Sequence, residues 1–72
     1  MDFKPNDIVH IHTDTGFDDE GIPTGLRINS KGFVSVDQDE GSDFIQIWCY
    51  TDIGFEKVGI NKKHLTKTRG NK

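Results

Sequence analysis

FIQIWCY, residues 44–50, is the stretch of this 72-residue sequence that decides the fold. Turn-forming residues bound it on both sides, GSD at 41–43 and TDIG at 51–54. Its own residues are mostly β-branched or aromatic, so it predicts a β-strand. Both faces of that strand are apolar, which predicts a central position in a sheet. Strand alternation places Ile45, Ile47 and Cys49 on one face, and Phe44, Gln46, Trp48 and Tyr50 on the other.

Shorter strand signals lie on either side of residues 44–50. Runs rich in β-branched and apolar residues predict further strands over 7–12, 25–29, 33–37 and 55–60. The connections that we predict between them are a loop over 13–21, a tight turn over 29–32, a loop over 37–43 and a single helical turn over 61–64.

The spacing of the turn signals indicates the fold class. They recur at short intervals, and no stretch shows a sustained apolar period of 3.6 residues. This pattern favours a small all-β barrel or sandwich. A chain of this length buries only about 60% of the surface that its unfolded form exposes, so the core must be thin. We predict a core of Val9, Ile11, Val34, Val36, Ile45 and Ile47.

The order of three motifs resembles that of small SH3-like barrels. KPNDIV at 4–9 is similar to their opening strand, IQIW at 45–48 to their middle strand, and VGINKKHL at 58–65 to their closing strand and turn. The resemblance implies an all-β, SH3-like barrel of about five strands with a short 3₁₀ turn near the C-terminus. A stand-alone acidic chain of this size also resembles bacterial or bacteriophage accessory proteins. The interpretation gives one domain over 1–67 and a flexible basic tail over 68–72.

Cysteine content and hydropathy limit the classes of protein. Cys49 is the only cysteine, which excludes an internal disulfide and a zinc site made of cysteines. No apolar run approaches the ~18 residues of a membrane span. We therefore expect a cytoplasmic protein without a membrane partner.

Charge is distributed unevenly along the chain. The net charge is −3, but residues 1–56 carry twelve acids and three basic residues, or −9, whereas residues 57–72 carry six basic residues, or +6. An acidic surface attracts basic proteins and repels nucleic acid, and a basic tail does the reverse. The distribution therefore leaves two kinds of partner open.

The sequence offers few candidates for chemistry. Cys49 lies on the predicted inward face, where thiols are usually inert, and there is no glycine-rich phosphate loop that opens a helix. His10, His12 and Asp14 form a row that could ligate a divalent ion, but histidines on an edge strand are more often surface side chains. We predict no enzymatic activity, no catalytic residue, no metal, no cofactor and no small-molecule substrate.

A protein-binding surface is the function that we predict first. The predicted loops over 13–21 and 37–43 are both acidic, and each precedes a strand. The resemblance to SH3-like barrels implies that these two loops flank one groove. We therefore expect the partner to be a larger protein with a basic surface. Aromatic side chains such as Trp48 dominate binding hot spots. A small regulator or inhibitor would work in this way. The predicted binding residues are Phe17, Asp18, Asp19, Glu20, Asp39, Glu40, Asp43, Phe44, Trp48 and Tyr50.

Nucleic-acid binding is the alternative function. It would use the basic C-terminal segment, since lysines that neutralise phosphates give salt-sensitive affinity. The −9 charge on residues 1–56 would oppose it unless the two charges occupy opposite faces. The residues predicted for this alternative are Lys57, Lys62, Lys63, Lys67 and Arg69.

Overall fold

The residues that the structure describes form a single open antiparallel sheet of seven strands. The computed structural model describes residues 3–27, 30–38 and 40–68. The all-β prediction is confirmed, but the prediction of about five strands is wrong. The strands are β1 (Ile8–Ile11), β2 (Thr15–Phe17), β3 (Pro23–Gly25), β4 (Lys31–Val34), β5 (Phe44–Thr51), β6 (Gly54–Asn61) and β7 (Leu65–Lys67), with the predicted 3₁₀ turn at Lys62–His64 between β6 and β7.

Strand β5 holds the sheet together. The order of strands is β3-β2-β6-β5-β4-β1-β7, so β5 is the central strand, as its two apolar faces predicted. It pairs with β6 over its whole length, and Thr51 faces Gly54 across a two-residue turn. Gly54 has a φ of +122°, a backbone conformation that side chains other than glycine rarely adopt. The Thr51 hydroxyl donates to the Gly54 carbonyl at 2.8 Å and fixes this turn.

A hairpin of β2 and β3 occupies the region predicted as an open loop. The Asp18 carboxylate stabilises the turn of this hairpin, because it accepts the backbone N–H groups of Glu20 and Ile22, both at 2.9 Å. Gly16 is buried beside Val58, where a larger residue would not fit. Strand β2 therefore shows no alternation of apolar and polar residues from which it could be predicted. The second predicted strand, 25–29, is also wrong in its bounds, since β3 ends at Gly25 and residues 28 and 29 lie outside the described residues.

Strand β4 begins and ends earlier than predicted. Lys31 and Gly32, expected in a turn, already pair with β1, and the strand ends at Val34. A Cβ atom on Gly32 would lie 2.6 Å from the Trp48 carbonyl oxygen, so the close approach of β4 to β5 needs glycine here. The Ser35 hydroxyl then accepts the N–H of Asp37 at 3.1 Å and turns the chain away from the sheet.

The core is a cluster of buried apolar side chains. Val36 was predicted to belong to it, but it is 71% exposed because the turn at Ser35 ends the strand alternation. The other predicted core residues are buried, apart from Ile45, which is partly buried and packs against the core. The fully assembled core consists of Val9, Ile11, Leu26, Val34, Ile47, Cys49, Val58, Ile60 and Leu65.

Asp7 fastens both ends of the described chain to the sheet. Its carboxylate accepts the Lys4 N–H at 2.9 Å and lies 3.3 Å from the Lys67 ammonium. The hydrogen bond from Lys4, together with Lys67, lowers the pKa of Asp7. Thr68, the first residue of the predicted tail, donates its N–H to the Ile8 carbonyl at 3.0 Å, and residues 69–72 lie outside the described residues.

Candidate functional site

Four aromatic side chains form a cluster on the outer face of the sheet. The register places Phe33 opposite Trp48 and Tyr50 opposite Phe55, so all four side chains point away from the core. The ring of Phe55 stacks on Trp48, with centroids 5.7 Å apart and an interplanar angle of 14°. It also meets Tyr50 edge-on at 5.0 Å and Phe33 at 6.0 Å. We call these four residues the aromatic cluster.

The aromatic cluster is open to solvent on one side. Tyr50 is 65% exposed and Phe55 is 43% exposed, whereas Phe33 and Trp48 are half-buried. Single exposed apolar side chains are ordinary on a protein surface, whereas a group of adjacent exposed rings is a feature of binding surfaces. Phe33 and Phe55 were not among the predicted binding residues. The pairing of Tyr50 with Phe55 across the TDIG turn was the signal in the sequence that could have revealed Phe55.

A groove of about 390 Å³ runs beside the aromatic cluster at Trp48. Its ionisable residues are four carboxylates and one lysine, so their formal charge is 1 − 4 = −3. The lysine, Lys57, lies 3.4 Å from the Asp37 carboxylate, which further reduces its positive field. We call this the Trp48 groove, and its lining residues are Asp18, Asp19, Glu20, Trp48, Glu56 and Lys57.

A second acidic groove adjoins the first. Asp18 and Asp19 on the β2–β3 turn line both grooves, and Asp37 lies across from them in a space of about 400 Å³. The side chain of Gln38 closes this end of the sheet, since its amide donates to the Gln46 carbonyl and accepts the Gln46 N–H, both at 2.9 Å. One side chain thus replaces a missing strand partner and fixes the second loop next to the first.

The structure separates the predicted binding residues into several places. Asp18, Asp19 and Glu20 lie with Trp48, whereas Asp43 lies 3.5 Å from the Lys62 ammonium. Glu40 is exposed and lines none of the grooves described here, and residue 39 falls outside the described residues. Across the groove from Asp18, the second loop contributes Asp37 and Gln38, which had not been singled out.

Phe17 and Phe44 lie in a third groove. Their rings meet edge to face, with centroids 5.9 Å apart and an interplanar angle of 78°. The groove has a volume of about 300 Å³. We call it the Phe17–Phe44 groove, and its lining residues are Thr13, Thr15, Phe17, Phe44, Asn61, Lys63 and His64.

Most of the lysines predicted for nucleic-acid binding are already paired with carboxylates. Lys57, Lys62 and Lys67 each lie within 3.3–3.5 Å of an aspartate oxygen. Lys63 is exposed in the 3₁₀ turn, and residue 69 lies outside the described residues. These three pairs are at least partly exposed and therefore weak, so they reduce the positive field of the lysines without removing it.

Cys49 and the histidines occupy ordinary structural positions. Cys49 is fully buried, and burial raises the pKa of its thiol to about 11, so it stays protonated at neutral pH. The rings of His10 and His12 lie 6.3 Å apart, and His12 Nε2 is hydrogen-bonded to Thr66 Oγ1 at 3.0 Å. Within residues 3–27, 30–38 and 40–68, no group of three or more His, Cys, Asp or Glu side chains is placed to hold a metal ion.

Comparisons with protein-family models, with curated proteins and with solved structures found no match for this chain. In the described part of the chain, no helix has the length and apolar character needed to cross a membrane. The three grooves and the aromatic cluster are the features of the described residues that bear on function.

Proposed function

We propose that this chain is a non-enzymatic protein-binding module that engages a larger protein through a basic surface of that partner. One observation carries the proposal: a half-buried tryptophan, Trp48, belongs both to the aromatic cluster and to a groove of charge −3. A small regulator or inhibitor needs such a surface, because it must recognise its partner with few residues.

The SH3-like barrel is the fold that we propose for this module. Strands β6, β5, β4, β1 and β7 follow one another in the sheet, and the 3₁₀ turn connects β6 to β7. The β2–β3 hairpin is then an excursion between the first and second barrel strands, which accounts for seven strands where about five were expected. In this arrangement the hairpin turn and the loop after β4 lie on either side of Gln46.

Charge and apolar contact would have separate roles in binding. A carboxylate-lined groove draws basic surfaces and raises the rate of encounter, an effect that weakens with ionic strength. Aromatic anchors that become fully covered slow dissociation, and truncating one costs about 2 kcal/mol or more. Trp48 and Tyr50 would be the anchors, and Asp18, Asp19 and Glu20 would supply the field.

Nucleic-acid binding is the weaker candidate. Contacts of lysines with phosphates supply most of the non-specific affinity for nucleic acid, whereas three of the candidate lysines are paired with carboxylates of this chain. Breaking those pairs would expose aspartates beside the phosphates.

A retention experiment with matched variants tests the proposal. The immobilised chain is incubated with native lysate, and the retained proteins are identified for the wild type, for the triple variant Asp19→Lys/Glu20→Lys/Asp37→Lys, and for Trp48→Ala. Asp18 is left in place because its carboxylate holds the β2–β3 turn. Lys4→Gln is the matched control, because Lys4 is exposed and lines neither the Trp48 groove nor the pocket beside Tyr50. We expect a retained protein that is lost with the triple variant and with Trp48→Ala but kept by the control.

Two results would overturn the proposal. One is that every retained protein is kept by the triple variant and lost with Lys62→Gln/Lys63→Gln. The other is that nothing is retained while an oligonucleotide binds with an affinity that tracks the number of lysines and falls steeply with salt.

A further inference from the structure

The Phe17–Phe44 groove is a surface that the proposed function leaves unused. Phe44 is 38% exposed, although it belongs to the central strand, and Phe17 is half-buried. The two rings form an apolar wall on which another apolar side chain can pack, since edge-to-face pairs leave ring edges and faces available. A volume of about 300 Å³ is at the lower end of the range for ligand pockets, so it accommodates one large side chain or two small ones.

The charge of this groove is opposite to that of the Trp48 groove. Its ionisable lining residues are Lys63 and His64, and in the described part of the chain no carboxylate lines it. Two aspartates adjoin the lining residues in the sequence. Asp43 lies 3.5 Å from the Lys62 ammonium, whereas Asp14 accepts the Thr15 hydroxyl at 3.0 Å and keeps its negative charge.

Asn61 adds a neutral donor to the same wall. Its side-chain oxygen accepts the Lys63 N–H at 3.0 Å, which leaves the amide NH₂ group able to donate to a ligand oxygen. Lys63, His64 and Asn61 thus offer hydrogen-bond donors next to an apolar wall. That combination suits a ligand that carries carboxylates beside an apolar group.

We propose that the Phe17–Phe44 groove binds a short acidic segment of a second protein, with an apolar side chain against the two rings and carboxylates beside Lys63 and His64. Single-stranded nucleic acid is another ligand that binds to surfaces combining aromatic rings with cations. It fits less well because the described lining residues include one lysine, Lys63, whereas a strand carries a phosphate at every nucleotide. With the Trp48 groove taking a basic surface, the chain would then have two binding faces of opposite sign.

The test is a titration of the ¹⁵N-labelled chain with three probes of equal length. They are the capped hexapeptides Glu-Glu-Leu-Phe-Glu-Glu and Lys-Lys-Leu-Phe-Lys-Lys, and a thymidine hexanucleotide. We expect the acidic peptide to shift the amide resonances of Thr13, Phe17, Phe44 and Lys63 saturably, and to leave those of Trp48 and Phe55 unchanged. The other two probes should leave the Phe17–Phe44 groove unperturbed.

Variants make the outcome specific. We expect Phe44→Ala to weaken binding of the acidic peptide about tenfold or more, as loss of an aromatic anchor does, and Lys63→Glu to weaken it several-fold. Lys31→Glu, a charge reversal at an exposed site outside the groove, should have no effect. Lys63→Glu keeps the test valid if Phe44→Ala does not fold, because Lys63 is a surface residue.

Three outcomes would overturn the proposal. They are the absence of saturable shifts at millimolar acidic peptide, equal binding of the lysine peptide, and binding of the hexanucleotide through the same residues, which would assign the groove to nucleic acid. None of them bears on the Trp48 groove, so the proposed function stands or falls separately.

Discussion

Removal of the Phe55 ring is the perturbation that examines the aromatic cluster most sharply. Phe55 is 43% exposed, so slightly more than half of its side chain is covered. Complete burial of such a side chain stabilises by about 1.5–3 kcal/mol, and the covered part contributes about 1–1.5 kcal/mol. Contacts with the rings of Trp48 and Tyr50 add roughly 0.5 kcal/mol each. Phe55→Ala should therefore lower the free energy of unfolding by about 2 kcal/mol, and Tm by roughly 10 °C.

Urea unfolding followed by the fluorescence of Trp48 measures this change. The variant should shift the midpoint without changing the slope, and its native emission should move to longer wavelength because Trp48 loses the ring stacked on it. Ile53→Ala is the matched control, since Ile53 lies two residues away and is 77% exposed; its effect should stay within about 0.5 kcal/mol. If Phe55→Ala behaves like the control in both stability and emission, the aromatic cluster does not exist as described.

Three further predictions concern stability and reactivity. Gln38→Ala should lower the free energy of unfolding in urea by about 1 kcal/mol, because the side chain makes two hydrogen bonds to the Gln46 backbone. Gln38→Glu should lower it at least as much, because it places a carboxylate oxygen against the carbonyl oxygens of Ser35 and Gln46. The pKa of Asp7 is lowered by a backbone N–H and Lys67, so its carboxylate stabilises the fold above the unfolded pKa of about 3.9. That stabilisation is lost as the pH falls through the lower folded pKa. Asp7→Asn should therefore lower the free energy of unfolding above pH ~6, leave it nearly unchanged below the folded pKa, and so flatten the acid side of the stability curve. Cys49, whose pKa is raised to about 11, should react with a thiol reagent far more slowly in buffer than in unfolding urea; equal rates would place it at the surface.

The sequence predicted the parts of the fold that have a two-residue period. Alternation in residues 44–50 placed Ile47 and Cys49 in the core and Tyr50 outside, and the structure agrees. The prediction failed for strands whose position is set by contacts that alternation does not reflect. Strand β2 is closed by the Asp18 carboxylate and packs through a glycine, Gly16, so its residues have the composition of a loop.

The candidate site was predictable in its chemistry but only partly in its geometry. Acidic loops and Trp48 could be recognised from residue types alone. Which carboxylates meet depends on where β4 ends, and that is decided by hydrogen bonds of Ser35 and Gln38 that no period in the sequence encodes. Phe17 and Phe44 were grouped with the acidic loops because they adjoin them in sequence, but their side chains lie beside Lys63 instead.

The rates of association and dissociation with the retained partner test whether the acidic groove speeds encounter and whether Trp48 slows dissociation. Association and dissociation rates are measured at several salt concentrations for the wild type, for Asp19→Lys/Glu20→Lys/Asp37→Lys and for Trp48→Ala. We expect the triple variant to associate more slowly and to lose the salt dependence of its association rate. We expect Trp48→Ala to associate at the normal rate and to dissociate about tenfold faster or more. Unchanged rates for both variants, together with slow association of Lys62→Gln/Lys63→Gln, would contradict both expectations.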